Sequence, residues 1–262
     1  MKQNYFEPTW SSIKQHQTPN WFKKAKFGIY AHWGIYSVPA AGPNVTWYPY
    51  WMYRPPSPQF DYHCKHYGHP SKFGYKDFIP MFTAEKFNAE EWADLYYRSG
   101  AKFAGPVAEH HDGFPMWNCS DTEWCASKMG PKRDIVGELA KAIRNKGMKY
   151  MVAMHHAENW FFFPHWNNDF DTSKKEYESL YGELHNLDLI GNQAVYPDHW
   201  GRKNEHQDKP SKAFHDRWLN RLKEVVDNYK PDYVWFDFGI RFIHEKYKNC
   251  LLYTSPSPRD RI

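Results

Sequence analysis

FNAEEWADLYYRSGAKFAGPVAEHHDGF, residues 87–114, holds one complete unit of the fold. Asn88 stands where a helix cap belongs, and Glu91 occupies the capping-box position three residues on. Trp92, Leu95 and Tyr96 then share one helical face, and Gly100 stops the helix. Residues 102–108 follow as an apolar run without polar alternation, the pattern of a strand covered on both faces. Where that run ends the chain turns polar at once, in Glu109-His110-His111-Asp112-Gly113-Phe114. The order is helix, stop, strand, and then titratable side chains at the strand's C-terminal end.

The rhythm recurs on either side. A second helix begins near Asp134, carries Ile135, Val136, Leu139 and Ile143 on one face, and ends at Gly147 before a strand at 149–154. A third begins near Lys212, with Phe214, Trp218, Leu222, Val225, Val226 and Tyr229 as its apolar stripe. Pro231 stops it, and a strand at 233–238 follows. An earlier strand, 27–31, precedes the first helix. Strands alternating with helices predict an α/β protein with a parallel sheet. A doubly wound sheet and a TIM-type barrel both satisfy this pattern, and no GxGxxG or Walker loop favours a nucleotide-binding sheet. The long segments lie after the strands, at 32–53, 109–124 and 155–200, and are rich in His, Trp, Gly and Pro. Barrels build their sites from such segments. The last exceeds ordinary loop length and predicts a lid or an inserted subdomain.

Bulk composition narrows the function. Aromatic residues make up 19% of the 262-residue chain, with 13 Trp, 19 Tyr and 18 Phe. They supply core volume, and they are also the surfaces on which the C–H faces of sugars pack. The net charge is +4 without a long basic run, which argues against a nucleic-acid partner; Lys23, Lys24 and Lys26 read as a solvated turn. No stretch reaches the ~18 apolar residues of a membrane span. The N-terminal MKQNYFEPTW has no apolar core of a signal peptide, so the compartment stays open. Four cysteines, with no CxxC pair, make no disulfide framework, although Cys119 and Cys125 are close enough in sequence to be bridged. His63, Cys64, His66 and His69 match no zinc spacing and read as a surface loop.

The residues that invite chemistry sit at strand ends. Asp237, in Trp235-Phe236-Asp237-Phe238-Gly239, closes an apolar strand, where a charge must reach the mouth or be paired. It reads as catalytic, or as a supporting carboxylate or helix cap. His110 and His111 follow one strand and His32 another. They would bind sugar hydroxyls, hold a metal with Asp112 or with His155 and His156, or simply cap the strands. Trp47-Tyr48 is a candidate stacking platform.

Six segments together resemble the family-29 glycoside hydrolases, the α-L-fucosidases. They are KFGIYAHWGIYSVPA (26–40), the Trp-Tyr-Pro at 47–49, FGYKDFIPMF (73–82), the opening stretch at 87–114, GPKRDIVGELAKAIRNKGMKY (130–150) and YVWFDFG (233–239). The resemblance implies a (β/α) barrel catalytic domain and hydrolysis of terminal α-L-fucosyl linkages with retention, on a fucosylated glycan or glycoconjugate, with no metal or cofactor. It implies Asp237 as nucleophile and His32, Trp47, His110, His111 and Trp235 as the lining of a fucose pocket. His155 and His156 end a strand whose sugar contact varies in type among relatives. Thr46 stands where many relatives have Glu. The family's acid/base and its later strands follow the nucleophile. Residues 1–249 are therefore expected to be an incomplete, inactive part of the barrel. CLLYTSPSPRDRI, 250–262, resembles a translated sequencing adapter and reads as an artefactual tail. Two other functions stay in view. One is a metal-dependent barrel hydrolase built on His110, His111 and Asp112; the other is a non-catalytic fucose-binding module.

Overall fold

The computed structural model describes residues 9–185, 209–237 and 239–248. The stretch read as a tail, Cys250, Phe238 and the segment from 186 to 208 lie outside these described residues.

Four strands form one parallel sheet in the order in which they occur: β1 (Gly28–Ala31), β2 (Phe103–Glu109), β3 (Lys149–Met154) and β4 (Tyr233–Phe236). The connections carry the helices α1 (Ala89–Arg98), α2 (Ile135–Asn145) and α3 (Lys212–Tyr229). α2 packs on β2 and β3, and both α1 and α3 touch α2, so the three lie on one side of the sheet. The alternation read from the sequence is therefore the observed one, with strand limits moved by one or two residues.

Each helix begins where a side chain can satisfy its open amides. The Asn88 side chain accepts from the Glu90 and Glu91 N–H groups, Asp134 from Gly137 and Ser211 from Phe214. Glu91 reaches the Asn88 side-chain amide at 3.1 Å, so the expected capping box is only half made. The α1 face also differs from expectation. Ala89, Ala93 and Tyr96 are its buried stripe, Trp92 is half-buried, and Leu95 is 56% exposed. Positions spaced i, i+4, i+7 stay in register with the helix period, and Leu95 falls outside that stripe.

Strand packing is tight where α2 and α3 return the chain. Asp232, just ahead of β4, accepts from the Tyr150 amide at 3.0 Å and pairs with Lys149. Gly105 in β2 lies so close to β3 that a side chain there would overlap the Met151 carbonyl oxygen. At the far end of β2 the register with β3 slips between Val107 and Glu109. Such an irregularity re-aims the side chains that follow it, here His110 and His111.

Much of the aromatic content is core. Trp117, Trp218, Tyr36, Tyr48, Tyr53 and Tyr75 are all fully buried. One sequence expectation fails in this region. His63 does not lie on a surface loop. It is buried in the helix Pro58–His66, with one ring nitrogen 2.9 Å from the Tyr48 hydroxyl and the other 2.8 Å from the Phe73 carbonyl. A histidine with both nitrogens satisfied is as much at home in a core as a tyrosine. Cys119 and Cys125 are buried free thiols, and Cys119 donates to Asp121.

Candidate active site

Asp237 comes directly after β4, with its side chain 27% exposed. The C-terminal ends of β1, β2 and β3 bring His32, His110, His111 and His155 around it. Its Oδ2 lies 3.5 Å from His155 Nδ1 and 3.7 Å from His111 Nε2. The rings form a continuous patch. His32 is 5.6 Å from His110 and 5.2 Å from His155, His110 is 4.4 Å from His111, and His111 is 5.1 Å from His155 (centroid distances). Trp47 completes one wall, edge-on to His111 at 5.2 Å and to Phe162 at 5.3 Å.

Three of its rings are held toward the neutral form. Burial drives the His155 ring down to about 2, and the neighbouring His111 and His32 push the same way. His110 falls well below its ordinary value through burial and then through His111, His155 and His32. His32 is lowered by burial despite the opposing charge of Asp237. The His111 Nδ1–H donates to the His155 carbonyl at 2.9 Å, which in the neutral ring leaves Nε2 as an acceptor toward the site. Among the described residues, buried His110 Nδ1 and both His155 ring nitrogens have no hydrogen-bond partner. Groups of this kind ordinarily face something they can bond.

Beneath the patch lies a charged layer. Glu109, the residue before His110, is fully buried and is held by the Arg221 guanidinium from α3 and by His156 Nδ1 at 2.8 Å. Burial would raise the Glu109 carboxyl, but Arg221 and His156 outweigh it and hold it below its ordinary value. Arg221 also reaches Asp121 at 3.0 Å and the Gly113 carbonyl at 3.3 Å. One guanidinium thus ties both flanks of the His110-His111 pair to α3.

The residues read from the sequence fare differently. Asp237, His32, Trp47, His110 and His111 come together. Trp235 lies in β4 two residues before Asp237 and is 44% exposed. Among the described residues it makes no ring contact with the histidines. His156 turns away to Glu109, and Tyr48 is buried against His63, so neither faces the site. Asp112 is bound by the Tyr75 hydroxyl at 2.6 Å and by the Phe114 amide at 3.2 Å, with burial pushing it up to about 7. The metal set His110, His111 and Asp112 is therefore not assembled. Donor atoms do lie within 4.8 Å of one another in two other groups, His32-His110-His155 and His111-His155-Asp237.

His155, read from the sequence only as a metal ligand or a variable sugar contact, is a full member of the patch. Two contributors escaped the sequence reading. Tyr30, on β1, lies 5.2 Å from the His32 ring, and its hydroxyl is raised by burial and by Asp237. Glu158 is buried, which lifts it to about 7; Arg241 opposes this and Asp237 adds to it. The alternation of β1 flags Tyr30, two positions before His32.

A carboxylate at a strand end thus stands among imidazoles and aromatic walls, a concave site of polar and apolar groups that could hold a small molecule. The chain belongs to the alpha-L-fucosidase family, whose model matches residues 1–258. It is 33% identical to the tissue alpha-L-fucosidase of Rattus norvegicus over 235 residues, 89% of this chain and 42% of that protein. It is 36% identical to the plasma alpha-L-fucosidase of Homo sapiens over 239 residues, 88% of this chain and 42% of that protein. The chain therefore spans less than half the length of these curated relatives. Among solved structures, the alpha-fucosidase of Thermotoga maritima in complex with fucose superposes with a TM-score of 0.75 at 34% identity, covering 98% of this chain and 54% of that one.

Proposed function

We propose that this chain is part of a retaining exo-α-L-fucosidase, with Asp237 as the nucleophile. The observation that carries the reading is the Asp237 carboxylate held 3.5 and 3.7 Å from ring nitrogens of two buried histidines, His155 and His111. Asp237 would attack C1 of the sugar and form a covalent fucosyl-enzyme, which water then hydrolyses. The acid/base would be a second carboxyl ~5–5.5 Å away, contributed from beyond β4.

Neutral histidines suit this chemistry for two reasons. An imidazole both donates to and accepts from sugar hydroxyls. An imidazolium would repel the oxocarbenium-like transition state and would pair with the nucleophile, blunting it. His32, His110, His111 and His155 are read as hydroxyl ligands, and Trp47 and Trp235 as apolar walls for the ring. The substrate class is a fucosylated glycan or glycoconjugate. The fucose bound by the Thermotoga maritima relative supports that class.

The fold is read as a (β/α) barrel to which the residues up to 249 belong. Support comes from the unreversed order β1-β2-β3-β4 with α1, α2 and α3 on one side, since a doubly wound sheet reverses its strand order at a switch point. The test is to treat the full-length protein with a 2-deoxy-2-fluoro-L-fucosyl fluoride and map the label by peptide mass spectrometry. A fluorofucosyl adduct on the peptide carrying Asp237 is expected. Labelling of another carboxylate, with Asp237 unmodified, would overturn the assignment.

A further inference from the structure

A second pocket lies apart from the histidine patch. Its volume is about 590 Å³, within the size range of small-ligand sites. Three segments line it, each following a different strand: Lys76 and Asp77 after β1, Trp124, Lys128 and Lys132 after β2, and Tyr177 after β3. All three leave the sheet at the C-terminal ends of their strands, the end that carries Asp237. None of the six lining residues named here touches the histidine patch among the described contacts.

The lining has two chemistries in one place. Trp124 and Tyr177 meet edge to face at 6.0 Å and 78°, giving two half-buried aromatic surfaces at a steep angle. Around them stand three ammonium groups and one carboxylate. Lys76 Nζ sits 5.1 Å from the Tyr177 ring centre and 2.7 Å from Asp77. Lys128 Nζ lies 3.0 Å from the Thr122 carbonyl and 3.0 Å from Glu123. Lys132 is exposed, and no ion pair involves it among the described residues. Its backbone is left-handed, with φ of 51°, a conformation that favours glycine or asparagine. The chain thus holds a lysine at the pocket against its conformational preference.

We propose that this pocket binds an anionic sugar residue, one bearing a sulfate ester or a carboxylate. The C–H face of the ring would pack on Trp124 or Tyr177, and the anion would meet Lys128 and Lys132. The proposal stands on the pocket alone and does not depend on the catalytic role of Asp237.

The test measures binding to the full-length protein by saturation-transfer NMR, with D-glucose 6-sulfate, D-glucuronate and D-glucose as probes. Both anionic sugars are expected to bind about ten-fold more tightly than glucose at low salt, with saturation on their ring C–H protons. High salt should close that gap. The double variant Lys128→Glu/Lys132→Glu should abolish it while leaving turnover of an aryl α-L-fucoside unchanged, which also reports that the variant folds. Trp124→Ala/Tyr177→Ala should remove the C–H saturation. Comparing D-glucose 6-sulfate with D-glucuronate at neutral pH, where both are ionised, shows which of the two anions the pocket prefers. Equal binding of glucose and its anionic analogues would overturn the proposal. So would unchanged affinity in the double variant, or inorganic sulfate binding as tightly as glucose 6-sulfate.

Discussion

Replacing Arg221 by Met tests the layer beneath the site. The Arg221 side chain is 1% exposed and faces Glu109, which is fully buried, and Asp121, which is 28% exposed. Removing the guanidinium lets Asp121 recover water, but Glu109 keeps only His156. Breaking a buried pair from one side costs about 3–5 kcal/mol, and the partial exposure of Asp121 argues for the lower end. At ~2–4 °C per kcal/mol for a chain of this size, the melting temperature should fall by roughly 6–12 °C.

The pH dependence carries the sign. In the native protein the Glu109 pKa is depressed, so its contribution is complete above its ordinary value of 4.5 and is lost as pH falls through the depressed value. In Arg221→Met, burial dominates and the carboxyl is raised. Its penalty is then greatest at neutral pH and shrinks as pH falls and the carboxyl protonates. The gap in melting temperature between variant and native protein should therefore narrow from pH 7 to pH 5. Arg221→Met/Glu109→Leu should recover most of the loss, because no buried charge remains. Thermal unfolding followed by circular dichroism reads all three. A drop below about 2 °C, or a double variant no better than the single, would refute the reasoning.

Gly105→Ala should be among the most damaging single changes, losing more than about 4 kcal/mol, because the methyl group meets backbone rather than a movable side chain; an ordinary denaturation midpoint in urea would count against it. The lowered histidines make the fold acid-sensitive: unfolded histidine takes up its proton at ~6.5 while these stay neutral, so stability should decline as pH drops below that value. His155→Gln should flatten that decline, and an unchanged profile of melting temperature against pH would refute its share. Glu158→Gln should keep kcat/KM for an aryl fucoside within a few-fold, since the acid/base is assigned beyond β4. A large loss recovered with azide would move that role to Glu158.

Signals carried by neighbouring residues were legible before any coordinates. The apolar runs at 102–108 and 149–154 and the stops at Gly100, Gly147 and Pro231 depend on nearest neighbours, and the strands fall where they predicted. The site was legible because its members stand at the ends of those same strands. The resemblance to a family then joined Asp237 to His110 and His111. Pairings made only in the folded chain were not legible. Arg221 lies 112 residues from Glu109, and an arginine amid the α3 stripe looks like surface until its partner is known. His63 misled for the same reason, since the Tyr48 hydroxyl that settles it comes from another element. Leu95 misled because apolar character alone does not decide which stripe a helix buries. Asp112 and His156 stand beside the patch histidines in sequence yet face away, Asp112 to the Tyr75 hydroxyl and His156 to Glu109.

The most direct test of the central claim is Asp237→Gly in the full-length protein, assayed on 4-nitrophenyl α-L-fucoside with and without sodium azide. Loss of the nucleophile should lower turnover by at least ~10³-fold. Azide should then restore release of nitrophenol, with β-L-fucosyl azide as product, because the small anion enters the space left by the carboxylate. Near-native hydrolysis by the variant, or a loss that azide does not recover as the fucosyl azide, would contradict the assignment of Asp237.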